Sequence, residues 1–334
     1  MDLLTRYMGL ELKNPLVASA SPVMERLDAI RRIEDAGAGA IILFSLFEEQ
    51  IRRDAGTVEE FLHSTADTHG EATSYFPRVP SFDVGLDAYL DLIRRAREAV
   101  TIPIVASLNG TTERGWTDFA SLIQQAGASA IELNVYYIPT EIYRPGRHVE
   151  QRYLDVFQAV RSSVTLPIAL KIGPYFSSFA NMAGELDRAG VDGLVLFNRF
   201  YQPDFDIENR TVMPSISLSR PDEIRLPLMW IALLYGRLHA SLGASTGVHS
   251  AIEVIKYLMA GADVVMTTSA MLMEGPAFVN RVLAQTIEWM ERHGYSAVDQ
   301  LRGCMSHERV GDPTAFVRAN YIRSLGSYQP AGPW

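Results

Sequence analysis

One cysteine, Cys304, and three lysines, Lys13, Lys171 and Lys256, stand in a chain of 334 residues. A single cysteine excludes an internal disulfide, a CxxC redox pair, an iron–sulfur cluster and a thiolate zinc site. Lysine is so scarce among the 30 basic residues that arginine supplies nearly all the positive charge. No apolar run approaches the roughly 18 residues that read as a membrane-spanning helix. The first residues, Met1-Asp2-Leu3-Leu4-Thr5-Arg6, lack the apolar core of a signal peptide. The 39 acidic side chains leave a formal net charge of -9, which argues against nucleic acid or an anionic membrane as partner. The expectation is a cytoplasmic protein with no membrane contact and no metal site. At 48% hydrophobic and 21% charged, the chain has enough apolar material for a sizeable core.

What is present is a repeated phrase. Ala36-Gly37-Ala38-Gly39-Ala40, Ala126-Gly127-Ala128-Ser129-Ala130, Ala189-Gly190-Val191-Asp192-Gly193 and Ala260-Gly261-Ala262-Asp263 each follow an amphipathic stretch and open a short apolar run. Glycine there closes a helix in a left-handed cap, and the run reads as a strand covered on both faces. Thr101-Ile102-Pro103 and Thr165-Leu166-Pro167 open two more strands, with proline where its missing N–H does least harm. Asn14–Ala18 supplies a strand before the first repeat, and residues 238–245 supply one before the last. Eight strands alternating with helices predict an α/β fold, a single (β/α)₈ TIM barrel. A doubly wound sheet is disfavoured, because no GxGxxG turn occurs. One domain spans 1–334, with insertions after strands 2, 4 and 6 and terminal helices over 276–325 packed on the barrel.

The strand ends offer Ser45, Asn109, Asn134, Lys171, Asn198, Ser245 and the run Thr267-Thr268-Ser269. Barrel geometry converges such ends on one mouth, although Asn and Ser also serve as simple helix caps. Lys171 stands out, inside the apolar strand Ile168-Ala169-Leu170-Lys171-Ile172. A lysine facing into a barrel needs an anion, a carbonyl substrate or an electron-rich cofactor. Two chemistries suit it, a Schiff base of aldolase or lyase type and a cation beside a flavin. Ser245-Thr246-Gly247-Val248 and Thr268-Ser269 follow the last two strands, where barrels bind phosphate. His249 reads as a cap or a phosphate contact, and His63 and His69 lack zinc-spaced partners.

Asn14-Pro15 before Ala18-Ser19-Ala20-Ser21, Glu132-Leu133-Asn134, Leu170-Lys171 with Pro174-Tyr175-Phe176, Asn198, and Gly247-Val248 with Ala260-Gly261-Ala262 form an ordered set. In these motifs, from about residue 1 to 290, the chain resembles the dihydroorotate dehydrogenase family. The resemblance implies an FMN-dependent oxidoreductase acting on a CH–CH or C=C bond, and a homodimer. Ala20 and Ser21 would approach the flavin ring through backbone, Ser45 and Asn134 would bond ring or ribityl chain, and Lys171 would face the ring edge. Ser245, Thr246, Gly247, Thr268 and Ser269 would hold the phosphate.

The orotate half of the pocket departs from that pattern. Tyr137 stands where the family places a Cys or Ser base, Phe44 where it places a substrate lysine, and Asp83 near a substrate asparagine. Arg199 follows Asn198 in place of a small hydroxyl. The substrate-binding set is therefore Phe44, Asp83, Asn109, Asn198 and Arg199, with Tyr137 and Lys171 catalytic. Tyr137 is read as a proton donor or an aromatic lid, and Arg199 as a carboxylate clamp or a brace to Asp204 or Asp206. The expected substrate is a small carboxylated or cyclic amide molecule, and orotate chemistry conflicts with these replacements. The electron acceptor or redox partner is open, and a flavin-binding subunit without turnover of its own remains an alternative.

Overall fold

The computed structural model describes residues 1–48, 85–110, 113–200, 202–213, 216–316 and 325. Eight parallel strands follow one another around a closed barrel: β1 (Leu16–Ala18), β2 (Ala40–Phe47), β3 (Ile104–Asn109), β4 (Ala130–Asn134), β5 (Ile168–Ile172), β6 (Gly193–Leu196), β7 (Ser241–Ala244) and β8 (Val264–Thr267). Closure is through β8 on β1, with Met266 opposite Val17. Outside lie α1 (Leu27–Asp35), α2 (Leu86–Ala99), α3 (Glu113–Gln125), α4 (Gly146–Ser163), α5 (Phe179–Ala189), α6 (Arg225–Leu234) and α7 (Ala251–Ala260). Beyond β8 come α8 (Ser269–Glu274), α9 (Ala277–Arg292) and α10 (Val298–Leu301). The fold is a (β/α)₈ barrel.

The repeated phrase works as a helix stop. Gly37, Gly127, Gly190 and Gly261 all have φ between 90° and 122°. The next residue in each case donates its N–H five residues back: Ala38 to Ile33, Ala128 to Ile123, Val191 to Leu186, Ala262 to Tyr257. This is the Schellman closure that a left-handed glycine permits. The proline openings work through their carbonyls, since Pro103 accepts from Ile41 and Pro167 from Ile131.

A second repeat is not visible as a motif. Glu34 at the end of α1 accepts bonds from the backbone of Thr101 and Ile102 before β3. Gln124 does the same for Thr165 and Leu166 before β5, and Asp187 for His239 and Ala240 before β7. Each clasp ties a helix end to the loop entering the strand two positions on, so backbone donors at the lower rim are satisfied.

The barrel interior is filled by Val17, Ala40, Ile42, Val105, Ala130, Ala169, Val195, Val264 and Met266. From below, a hairpin (Thr5–Tyr7 with Leu10–Leu12) inserts Tyr7 and Met8. Small residues make room for them: a Cβ on Gly193 would lie 3.0 Å from Met8 Cγ and 3.4 Å from Tyr7 Cε2. Alternation then places Ser107, Glu132 and Lys171, two residues further along β3, β4 and β5, and Asn134, four further along β4, on the same inner face toward the mouth.

After β4 the chain is irregular until α4, and after β6 it forms a hairpin, Asp204–Asp206 with Thr211–Met213. Most of the insertion after β2, with His63, His69 and Asp83, lies outside the described residues. Helix α9 packs on α7 and buries Phe278, Val279, Val282 and Met290. Residues 317–324 of the expected terminal segment are likewise not described. Cys304 is half-buried against the outer core, and burial pushes its thiol up, consistent with a packing role. Among the described residues no helix is long and apolar enough to cross a membrane.

Candidate active site

At the carboxyl ends of the strands, β4 and β5 set Asn134 beside Lys171 in register. The Asn198 amide donates to Asn134 Oδ1, and the backbone N–H of Asn198 bonds Ile172 at 2.7 Å. Three of the expected residues therefore meet over neighbouring strands. Ser45 joins from β2, its Oγ 2.8 Å from Ser107 Oγ. Asn109 is buried at the end of β3, opposite Phe47 in register. Ala20 and Ser21 follow β1, where Ser19 N–H is tied to the carbonyl of Thr267 on β8.

Phe44 is a correction. The β2–β3 register slips between Ile42 and Ser45, so a bulge turns Phe44 out of the barrel and brings Ser45 inward. Phe44 packs in the outer core, edge-on to Tyr89 at 4.9 Å. It does not line the mouth.

Arg199 is a second correction. Its guanidinium meets Glu223 in a fork, Nε to Oε2 at 2.9 Å and the second nitrogen to Oε1 at 3.3 Å, and it also donates to the Ser217 carbonyl. The bidentate geometry a substrate carboxylate needs is already used. Arg199 is a brace, but its partner is Glu223 and neither Asp204 nor Asp206.

The two tyrosines after β4 diverge. Tyr136 packs on Phe200 at 4.8 Å, and Phe200 meets Tyr175 at 5.2 Å. Phe200 lies so close over Gly173 that a Cβ there would fall 2.8 Å from its ring. Tyr137 turns toward α4, with the Arg152 guanidinium 4.4 Å over its ring. Both tyrosines are half-buried.

At the β7 and β8 ends, the Gly247 N–H donates to Ser219 Oγ at 3.2 Å, and Ser219 is bonded twice to Ser269 Oγ, through its N–H and its hydroxyl. Ser219 comes from the insertion after β6 and escaped the sequence reading; Leu218-Ser219-Arg220-Pro221 carried no signal beyond a loop. Gly247 is pressed against this segment, since a Cβ would lie 2.6 Å from Ile224 Cγ2 and 2.9 Å from the Arg220 carbonyl. The Tyr257 hydroxyl holds the carbonyls of Ser245 and Thr246 from below at 3.3 and 2.9 Å. His249 braces this cradle from outside, its Nε2 2.6 Å from the Ser219 carbonyl, while Ser250 caps α7.

Thr246 sits at φ 86°, a conformation costly for a β-branched residue. Thr246→Gly is expected to stabilise the protein by about 1 kcal/mol, the relief of strain exceeding the added unfolded-state entropy. A higher urea midpoint at unchanged slope checks it.

A cleft of about 760 Å³ opens at the opposite end of the barrel, lined by Asp187, His239, Asp263 and Arg302 among others. Within it Arg302 pairs with Asp263 at 2.8 Å, and His239 Nδ1 lies 3.1 Å from an Asp187 carboxylate oxygen. That end serves stability, and the polar mouth is where barrel chemistry belongs.

The profile described as dihydroorotate dehydrogenase matches residues 73–290, well over half of the chain. The chain belongs to the dihydroorotate dehydrogenase family. The catalytic subunit of dihydroorotate dehydrogenase B (NAD(+)) from Methanothermobacter thermautotrophicus is 26% identical over 314 residues, covering 91% of this chain and 98% of that protein. Its counterpart from Methanocaldococcus jannaschii is 25% identical over 315 residues, with the same coverage, 91% and 98%. The NAD-dependent dihydropyrimidine dehydrogenase subunit PreA of Escherichia coli K12 is 23% identical over 341 residues, 96% of this chain and 80% of that protein.

The dihydroorotate dehydrogenase family consists of oxidoreductases and is generally flavin-dependent. The residues present fit such a group. One end of the mouth gathers the hydroxyl residues Ser219, Thr268 and Ser269 beside Gly247, packed with no room for a Cβ at Gly247. The other end offers amides and the Lys171 ammonium, which suit an electron-rich ring edge.

Proposed function

We propose that this member of the dihydroorotate dehydrogenase family is an FMN-dependent oxidoreductase that acts on a carbon–carbon bond of a small cyclic amide. The observation that carries the reading is the convergence of Asn134, Asn198 and Lys171 over a hydroxyl-rich cradle at the barrel mouth. When bound, FMN would supply two-electron redox chemistry. Ser45, Asn134 and Lys171, with the backbone of Ala20 and Ser21, would hold its ring, and Ser245, Thr246, Gly247, Thr268 and Ser269 its phosphate. Asn109, Asn134 and Asn198 present the amides that would orient a cyclic amide. With Arg199 engaged by Glu223, a carboxylated substrate such as dihydroorotate is the weaker alternative.

Tyr137 Oη would hold the proton transferred at carbon, a phenol being a better acid than base near neutral pH. Two relatives are named as catalytic subunits and a third as a subunit, which supports a separate redox partner as electron acceptor. Family membership weighs against the Schiff-base lyase, and the ion pair of Lys171 already engages its amine. A homodimer would cover apolar side chains now exposed on the hairpin after β6, Phe205, Ile207 and Val212 among them.

The purified protein is expected to be yellow, or to become so with added FMN. Anaerobic dihydrouracil is expected to bleach it faster than dihydroorotate. A protein that takes up no FMN rejects the proposal, and faster bleaching by dihydroorotate restores orotate chemistry. Tyr137→Phe should slow reoxidation of the anaerobically reduced flavin by an unsaturated cyclic amide such as uracil by about 10²-fold or more if the phenol supplies the proton at carbon; an unchanged rate makes the ring a lid.

A further inference from the structure

Lys171 and Glu132 are the two ionisable side chains carried by the eight barrel strands. They lie on adjacent strands, both on the inner face, with Lys171 Nζ 3.8 Å from Glu132 Oε1. The Glu132 side chain is 1% exposed, and neither carboxylate oxygen has a hydrogen-bond partner. The groups that face it are Lys171 from β5, the buried hydroxyl of Tyr7 from the hairpin below, and Tyr89 from α2. Tyr7 Oη is also without a partner.

Such a carboxylate is a poor structural element. A buried charge without hydrogen bonds is unfavourable, and an apolar side chain of similar size serves a barrel interior better. What Glu132 does have is the lysine directly beside it at the floor of the mouth. We propose that Glu132 is a positioning residue whose carboxylate holds the Lys171 ammonium in place and offsets its charge, so that the pair, and not the lysine alone, sets the positive potential at the redox cofactor. This rests on the flavin reading given above.

Two measurements test the two halves separately. In the protein with FMN bound, Glu132→Gln removes the offset and leaves the volume. The reduction equilibrium of the flavin is expected to move on the order of tenfold toward the reduced form, about 30 mV more positive for two electrons. An unchanged or more negative potential overturns the proposal.

The second measurement needs no flavin. Burial holds the Glu132 carboxyl above its ordinary value, with Lys171 acting in the opposite direction. A carboxyl raised on folding contributes stability below its unfolded value near 4.3, and that stability is lost as pH rises through the folded value. Removing the cation deepens the loss. Lys171→Met is therefore expected to fall increasingly below the parent in urea midpoint from pH 5 to pH 9. Lys171→Met with Glu132→Gln should show no such divergence. Burial keeps Tyr7 and Tyr89 above their usual range, so neither titrates in this window. Parallel profiles for Lys171→Met and the parent overturn the pairing. Divergent profiles in a protein that takes up no FMN uphold the pair and reject the flavin reading.

Discussion

Lys171→Met is expected to lower turnover by about 10²–10³-fold while FMN content stays close to that of the parent, the range found when one preorganised electrostatic group is removed. The substitution keeps the length of the apolar stem and deletes only the ammonium. No other barrel strand carries a basic residue, so the described strands hold no substitute for that charge. The loss should fall on kcat more than on KM, because the cation acts on charge that develops during the reaction. Steady-state rates with whichever dihydropyrimidine bleaches the parent check this, alongside the bound-flavin absorbance. Arginine is not expected to restore the rate. Its wider, planar head does not fit beside Glu132 in an interior where the lysine side chain is only 12% exposed.

Gly39→Ala is expected to be the most destabilising of the substitutions considered, by about 3–5 kcal/mol. A Cβ at Gly39 would lie 2.2 Å from the carbonyl oxygen of Asn14. That carbonyl belongs to backbone that is held in place. Asn14 Nδ2 donates to the Gly37 carbonyl at 2.7 Å, Leu16 N–H to Asn14 Oδ1 at 3.0 Å, and Gly39 N–H to the Leu16 carbonyl at 2.8 Å. Relief requires the segments entering the neighbouring strands β1 and β2 to part. Gly127→Ala makes the comparison. It has φ 90° and no atom within 4 Å of the added methyl, so only the left-handed conformation opposes it, about 1 kcal/mol. Urea unfolding of the two variants checks the difference. With total stability of about 5–15 kcal/mol, Gly39→Ala should also reduce the soluble yield.

Much of the architecture is legible along the chain because its signals are local. A glycine just past a helix, an apolar run after it, and a proline at a strand start act within a few residues. The order of such units leaves few topologies besides a barrel. Lys171 is legible for a similar reason, as a lone basic residue in an apolar strand.

The site is less legible where it depends on register. The family resemblance sets Phe44 at the substrate, but the bulge after Ile42 shifts the phase of β2 and no residue there announces it. Arg199 stands next to plausible acidic partners in sequence, yet it pairs with Glu223, 24 residues away, because the loop after β6 folds back over the mouth. Ser219 becomes part of the cradle for the same reason.

Eight strands, their helix stops and membership of an oxidoreductase family follow from the amino-acid order, since each rests on short-range periodicity and on motifs kept in sequence. The pairing of Glu132 with Lys171, the outward turn of Phe44 and the closing of Arg199 on Glu223 arise only on folding. Each is set by contacts between segments that the chain holds far apart, and by an interior dry enough to make two charges matter to one another.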